Sequence, residues 1–132
     1  MRGQGHRRRR RGRRAVRMLE PALLLLLHHA PAHGYTLLER LGEFGLGDMN
    51  PSAVYRALRG MEEKAWVTST WDKEQAQGPP RRVYRLTAQG DEVLALWTQD
   101  LEGSREKIDY LLGAYRRHME EGEGEHHSKT AG

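Results

Sequence analysis

Ser52, Tyr55, Arg56 and Arg59 follow one another at i, i+3, i+4 and i+7, so on a helix their side chains share a single stripe. Their chemistry suits a polyanion. A guanidinium presents a rigid fork of donors that fits two acceptors on a guanine edge or two oxygens of a phosphate. The hydroxyls of Ser52 and Tyr55, near the start of the same run, suit phosphate oxygens. Arg81, Arg82 and Arg85 repeat the cationic chemistry further along, within a β-prone stretch. The same residues would also serve as a solvated helix face and a charged edge strand that resists sheet pairing, so their meaning depends on the elements that carry them.

Other chemistries find no support. The chain contains no cysteine, which removes disulfides, thiolate nucleophiles and cysteine-ligated zinc, and fits a reducing cytoplasm. There is no G-x-S-x-G or Walker loop, and Glu62 and Glu63, as helix neighbours, diverge by about 100°. His29 and His33 have the i, i+4 interval of a shared metal ion, with His28 adjacent, but Pro31 between them ends the helix that this interval requires. His126 and His127 lack a third ligand nearby. Neither an enzyme nor a bound metal or cofactor is expected.

The elements that would position the arginines read clearly. Leu19, Ala22, Leu23, Leu26 and Leu27 have helical spacing over Met18–His29, with Pro21 tolerable in a first turn. Ala30–Gly34 breaks that helix, and Tyr35, Leu37, Leu38 and Leu41 resume the period to about Phe44. Asn50-Pro51 then signals a helix start, because asparagine accepts from free backbone N–H groups and proline is pre-set for the first helical position. The helix that follows, from Pro51 to about Lys64, carries Val54, Leu58 and Met61 on a core stripe and the Ser52–Arg59 set on another. Val67–Trp71 and Arg82–Leu86 read as strands of a hairpin, with a polar tip over Asp72–Arg81 that contains Gly78-Pro79-Pro80. Thr87 is placed to cap a last helix that reaches about Glu120. Every seventh residue there gives Leu94, Leu101, Ile108 and Tyr115 beside Trp97, Ser104, Leu111 and His118, the seam of a helix that packs on another helix. A second copy of the chain is the simplest partner, so Leu94, Trp97, Leu101, Ile108, Leu111 and Tyr115 are its expected interface.

The fold class is therefore mainly α with a small β-hairpin, a winged helix-turn-helix of three helices and a two-stranded wing followed by a long dimerisation helix. In that plan the third helix enters the major groove of double-stranded DNA and the wing reaches a neighbouring groove or phosphate. The expected divisions are a disordered basic arm over residues 1–17, the winged helix over 18–87, the dimerisation helix over 88–120 and a disordered tail over 121–132. Nine of the 22 basic residues precede Met18 with no acid among them, leaving 13 basic against 18 acidic residues. Arg7, Arg8, Arg9, Arg10, Arg11, Arg13 and Arg14 of this arm are further candidate DNA contacts. The arm and Ala22–Leu27, followed by Ala30-Pro31-Ala32, imitate a signal peptide, but the apolar run falls short of the usual length and Glu20 and Pro21 interrupt its entry. No run of about twenty apolar residues is available for a membrane span.

Three strings, in order, are similar to the PadR family of bacterial transcription regulators. They are Ala30-Pro31-Ala32-His33-Gly34-Tyr35, Asn50-Pro51-Ser52-Ala53-Val54-Tyr55-Arg56-Ala57-Leu58, and Gly78-Pro79-Pro80-Arg81-Arg82-Val83-Tyr84-Arg85-Leu86-Thr87 with Gly90 beyond. The resemblance, over Met18–Gly90, implies a homodimer joined through the last helix, a palindromic operator, and repression relieved by a small-molecule effector or a stress signal. The single C-terminal helix resembles the smaller subgroup, in which an aromatic residue there lines a ligand pore; Trp97 is the matching position. Two departures stand out. Family members usually have Glu-Glu-Gly-Leu-Val where this chain has Glu63-Lys64-Ala65-Trp66-Val67, which removes a glycine from an expected left-handed cap, and Gly60 interrupts the third helix. An RNA-binding or ribosome-associated protein led by the arginine arm, or a winged-helix protein-interaction module, are the alternative readings.

Overall fold

The computed structural model describes residues 17–72 and 81–131, with side chains as far as Gly122. The arm residues from Arg7 to Arg14 and the tip of the hairpin lie outside the described residues. In chain order the elements are α1 (residues 17–29), β1 (Ala32–His33), α2 (Gly34–Arg40), a 3-10 turn (Leu41–Phe44), α3 (Pro51–Glu63), β2 (Val67–Asp72), β3 (Arg81–Leu86) and α4 (Ala88–Ala131). The chain divides into two compact units, Met1–Leu96 and Trp97–Gly132.

The core of the first unit is aliphatic. Leu19, Leu23 and Leu24 of α1, Leu37 of α2, Leu41, Val54, Leu58 and Met61 of α3, and Val67 of β2 are almost wholly buried, joined by Tyr84 and Leu94. These are the positions that helical and strand periodicity assigns to the inside, with Leu24 added because α1 is covered on more than one side. Pro21 lies within the helix, where its missing N–H withdraws one backbone bond.

Two elements differ from the sequence expectation. The wing is the larger part of a three-stranded antiparallel sheet in the order β1-β3-β2, not an isolated hairpin. Pro31 disfavours helix in the residue before it, and the extended backbone that follows places Ala32 opposite Tyr84 and His33 opposite Val83, which covers the free edge of β3. On the other side, β2 and β3 pair from Val67↔Leu86 to Asp72↔Arg81, so both strands run one residue further toward the tip than predicted. The second difference is α4, which continues past Glu120 to Ala131 where a tail is expected. Gly122 and Gly124 weaken a helix there, but no proline follows Pro80 and the intervening Glu, Lys and Ala residues favour the helical state.

The start of α3 follows its signal: the Asn50 side chain accepts from the Ser52 N–H at 2.9 Å and Pro51 occupies the first turn. Its end departs from the usual chemistry. Ala65 adopts φ +64°, the left-handed conformation normally left to glycine, and the Trp66 and Ala65 N–H groups donate to the Met61 and Glu62 carbonyls at 2.9 and 3.0 Å. This pair of bonds is a Schellman closure, so the helix meets β2 by the expected route without the expected residue. The junction also anchors α4. The Thr87 N–H donates to the Trp66 carbonyl at 3.1 Å, and the Thr87 hydroxyl accepts from the Gly90 N–H at 3.0 Å. A Cβ on Gly90 would lie 2.1 Å from the Trp66 carbonyl oxygen, so only glycine permits this approach.

Candidate nucleic-acid interface

On α3 the two predicted stripes separate. Val54, Leu58 and Met61 are buried, whereas Ser52, Tyr55, Arg56 and Arg59 are exposed. The four are not equivalent. Tyr55 forms one margin, its ring packed so closely on Gly34 that a Cβ there would lie 2.6 Å from Cε1. Arg56 forms the other margin, beside a groove of about 280 Å³ that Leu19 and Glu20 of α1 share with Ala57, Gly60 and Lys64. Ser52 and Arg59 fall between them. Neither Arg56 nor Arg59 forms an ion pair with an acid among the described residues. Their charges are thus uncompensated on a helix fixed by its cap and by its buried face.

The wing arginines separate by strand alternation. Arg82, opposite Trp71, lies on the face that also carries Tyr84, Ser69 and Val67, whereas Arg81 and Arg85 lie on the other face with His33 and Asp72. On that second face His33 Nε2 stands 3.6 Å from Asp72 Oδ2. On the first, the Ser69 hydroxyl donates to the Glu62 carboxylate, which ties α3 to the sheet. Burial raises the Tyr84 hydroxyl above its ordinary pKa; the charge and hydrogen bond of Arg82 oppose this, and Glu62 and Tyr55 add to it. The Arg82 guanidinium also lies 5.0 Å from the centroid of the Trp71 ring. Sequence reasoning missed Trp71 as a site residue. Its exposure and its cross-strand partner depend on the register, which the long polar tip leaves open.

The predicted interface residues of α4 fall in different surroundings. Leu94 is 6% exposed and belongs to the core of the first unit. In the second unit, Leu101, Ile108, Leu111 and Tyr115 are exposed and Trp97 is half-buried. Leu112 and Met119, which a strict seven-residue count passes over, are exposed as well. At about 100° per residue they fall in the same arc as Leu101, Ile108 and Tyr115, because a straight helix drifts off the heptad. No helix among the described residues is long and apolar enough to cross a membrane, and no group of three metal-binding side chains gathers among them.

Comparison with known proteins agrees with this geometry. No curated protein matches the sequence. Among solved structures, a conserved protein described as a potential transcription factor is 35% identical, with 78% of this chain and 91% of that one covered at a TM-score of 0.68. A PadR-like transcription factor from Bacteroides fragilis is 27% identical over 77% of this chain and 96% of its own, with a TM-score of 0.63. A PadR family transcriptional regulator from Eggerthella lenta is also 27% identical, covering 68% and 80% with a TM-score of 0.57. Residues 23–96, more than half of the sequence and nearly all of the winged helix, match the family described as transcriptional regulator PadR-like. The chain belongs to the PadR-like family of transcriptional regulators.

Proposed function

We propose that the protein is a homodimeric, sequence-specific repressor that binds a palindromic operator in double-stranded DNA, acts in the cytoplasm and is released by a small-molecule effector. The observation that carries this reading is the exposed α3 stripe, where Arg56 and Arg59 stand without an acid partner among the described residues on a helix whose opposite face is buried. In the major groove, Arg59 reads a base or grips a phosphate, Ser52 and Tyr55 take phosphate oxygens, and Arg81, Arg82 and Arg85 add cations at the wing. The arm from Arg7 to Arg14 contributes sequence-independent attraction to the backbone. Leu101, Ile108, Leu111 and Tyr115, with Leu112 and Met119, hold two copies together. Trp97 lines the effector site between them.

Selection of bound duplexes from a random pool tests the reading. The expected result is a motif with two-fold symmetry whose half-site centres lie about one helical turn, or a multiple, apart. Equal affinity for single strands, duplex RNA and duplex DNA would move the protein to the RNA-binding class. A monomer indifferent to every duplex would overturn the proposal outright.

A further inference from the structure

The wing offers three arginines, and one of them is held differently from the others. Arg81 and Arg85 share the face of the sheet on which His33 meets Asp72. Arg82 points to the opposite face, with its guanidinium over the Trp71 ring. Trp71 itself remains 56% exposed, so the ring is not used to fill the core. The Arg82 guanidinium is the group stacked on its face.

An unconstrained arginine loses substantial rotamer freedom when it engages a ligand, whereas a planar guanidinium already stacked on a ring has less to lose. Glu62 of α3 accepts from Ser69, and among the described residues no ion pair draws Arg82 to it. The cation at Arg82 is therefore oriented before any partner arrives.

We infer that Trp71 is a positioning residue for nucleic-acid binding: its ring holds the Arg82 guanidinium in the orientation that meets the duplex, and the wing thereby contributes one oriented cation. This inference rests on the DNA-binding reading above. The test is a double-mutant cycle on the full chain, with affinities measured for a duplex recovered by the selection experiment. Trp71→Ala and Arg82→Ala should each weaken binding about three- to tenfold, and the double variant should be no weaker than Arg82→Ala alone. Trp71→Phe, which retains a ring, should stay within about twofold of the parent. Arg85→Ala should cost the same with and without Trp71, which separates positioning of one side chain from a general loosening of the wing. Additive losses at Trp71 and Arg82, an unchanged affinity in Trp71→Ala, or equal coupling of Trp71 to Arg85 would each overturn the inference. Failure of the unaltered protein to bind any duplex would instead sink the DNA-binding reading on which it rests.

Discussion

Arg59 lies between the margins set by Tyr55, which is committed to Gly34, and Arg56, which faces the α1 groove. On the DNA-binding reading proposed above, it is the α3 cation assigned to a base edge. Arg59→Ala is expected to weaken operator binding by about 1–3 kcal/mol. A relaxed sequence preference would identify a base contact, and a uniform loss with a salt slope shallower by about 0.9 would identify a phosphate contact. Unchanged affinity in a titration against specific and scrambled duplexes would remove Arg59 from the interface. Tyr84 makes a second residue-scale prediction. Burial, against the pull of Arg82, raises its pKa from the ordinary value of 10.0, so the folded state holds the phenolic proton more tightly than the unfolded chain. The stability this confers is complete below about pH 10 and is lost as pH climbs from there through the raised value. Denaturant midpoints measured across the alkaline range should fall in the parent and fall less steeply in Tyr84→Phe; parallel curves would show that another group governs the alkaline loss.

At the scale of the element, α3 combines a strong beginning with two avoidable costs. Ala65 occupies a left-handed conformation that costs an L residue about 1–2 kcal/mol, and Gly60 costs up to about 1 kcal/mol in a helix interior. A Cβ on Gly60 would meet nothing within 4 Å. Ala65→Gly and Gly60→Ala are each expected to stabilise the fold by about 0.5–1 kcal/mol, read as higher denaturant midpoints with unchanged slope. A loss of stability in Ala65→Gly would mean that the Ala65 methyl makes a contact worth more than the strain. The same helix shows how much was legible in advance. Asn50-Pro51, the buried stripe and the exposed stripe were readable because local chemistry determines them, and the missing cap glycine was visible at Ala65. What periodicity could not supply was long-range pairing. Two residues, Ala32 and His33, carry no strand signal of their own and become β1 only because β3 offers them an edge. Likewise, alternation along β3 is enough to set Arg82 apart from Arg81 and Arg85, but its cross-strand partner depends on a register that no local pattern encodes, so Arg82 and Trp71 could not be matched beforehand.

For the molecule as a whole, the second unit poses the sharpest question, because a chain that exposes Ile108, Leu111 and Tyr115 at 55%, 69% and 62% presents an apolar stripe to water. Leu112 and Met119 extend the same arc, so the stripe follows the helix over several turns. Burying it against an identical stripe removes apolar surface from water at about 25 cal/mol per Å² and gives both copies the same contacts, as a two-fold interface requires. Ile108 lies within this stripe, and on the dimeric reading proposed above a carboxylate there would have to be desolvated for the two stripes to close. Ile108→Glu is therefore expected to yield a monomer by sedimentation. Since two linked winged helices gain effective concentration at paired half-sites, operator affinity should fall by at least tenfold, while binding to an isolated half-site changes little. A variant that remains dimeric would place the interface elsewhere, and a monomer with undiminished operator affinity would show that each winged helix acts alone.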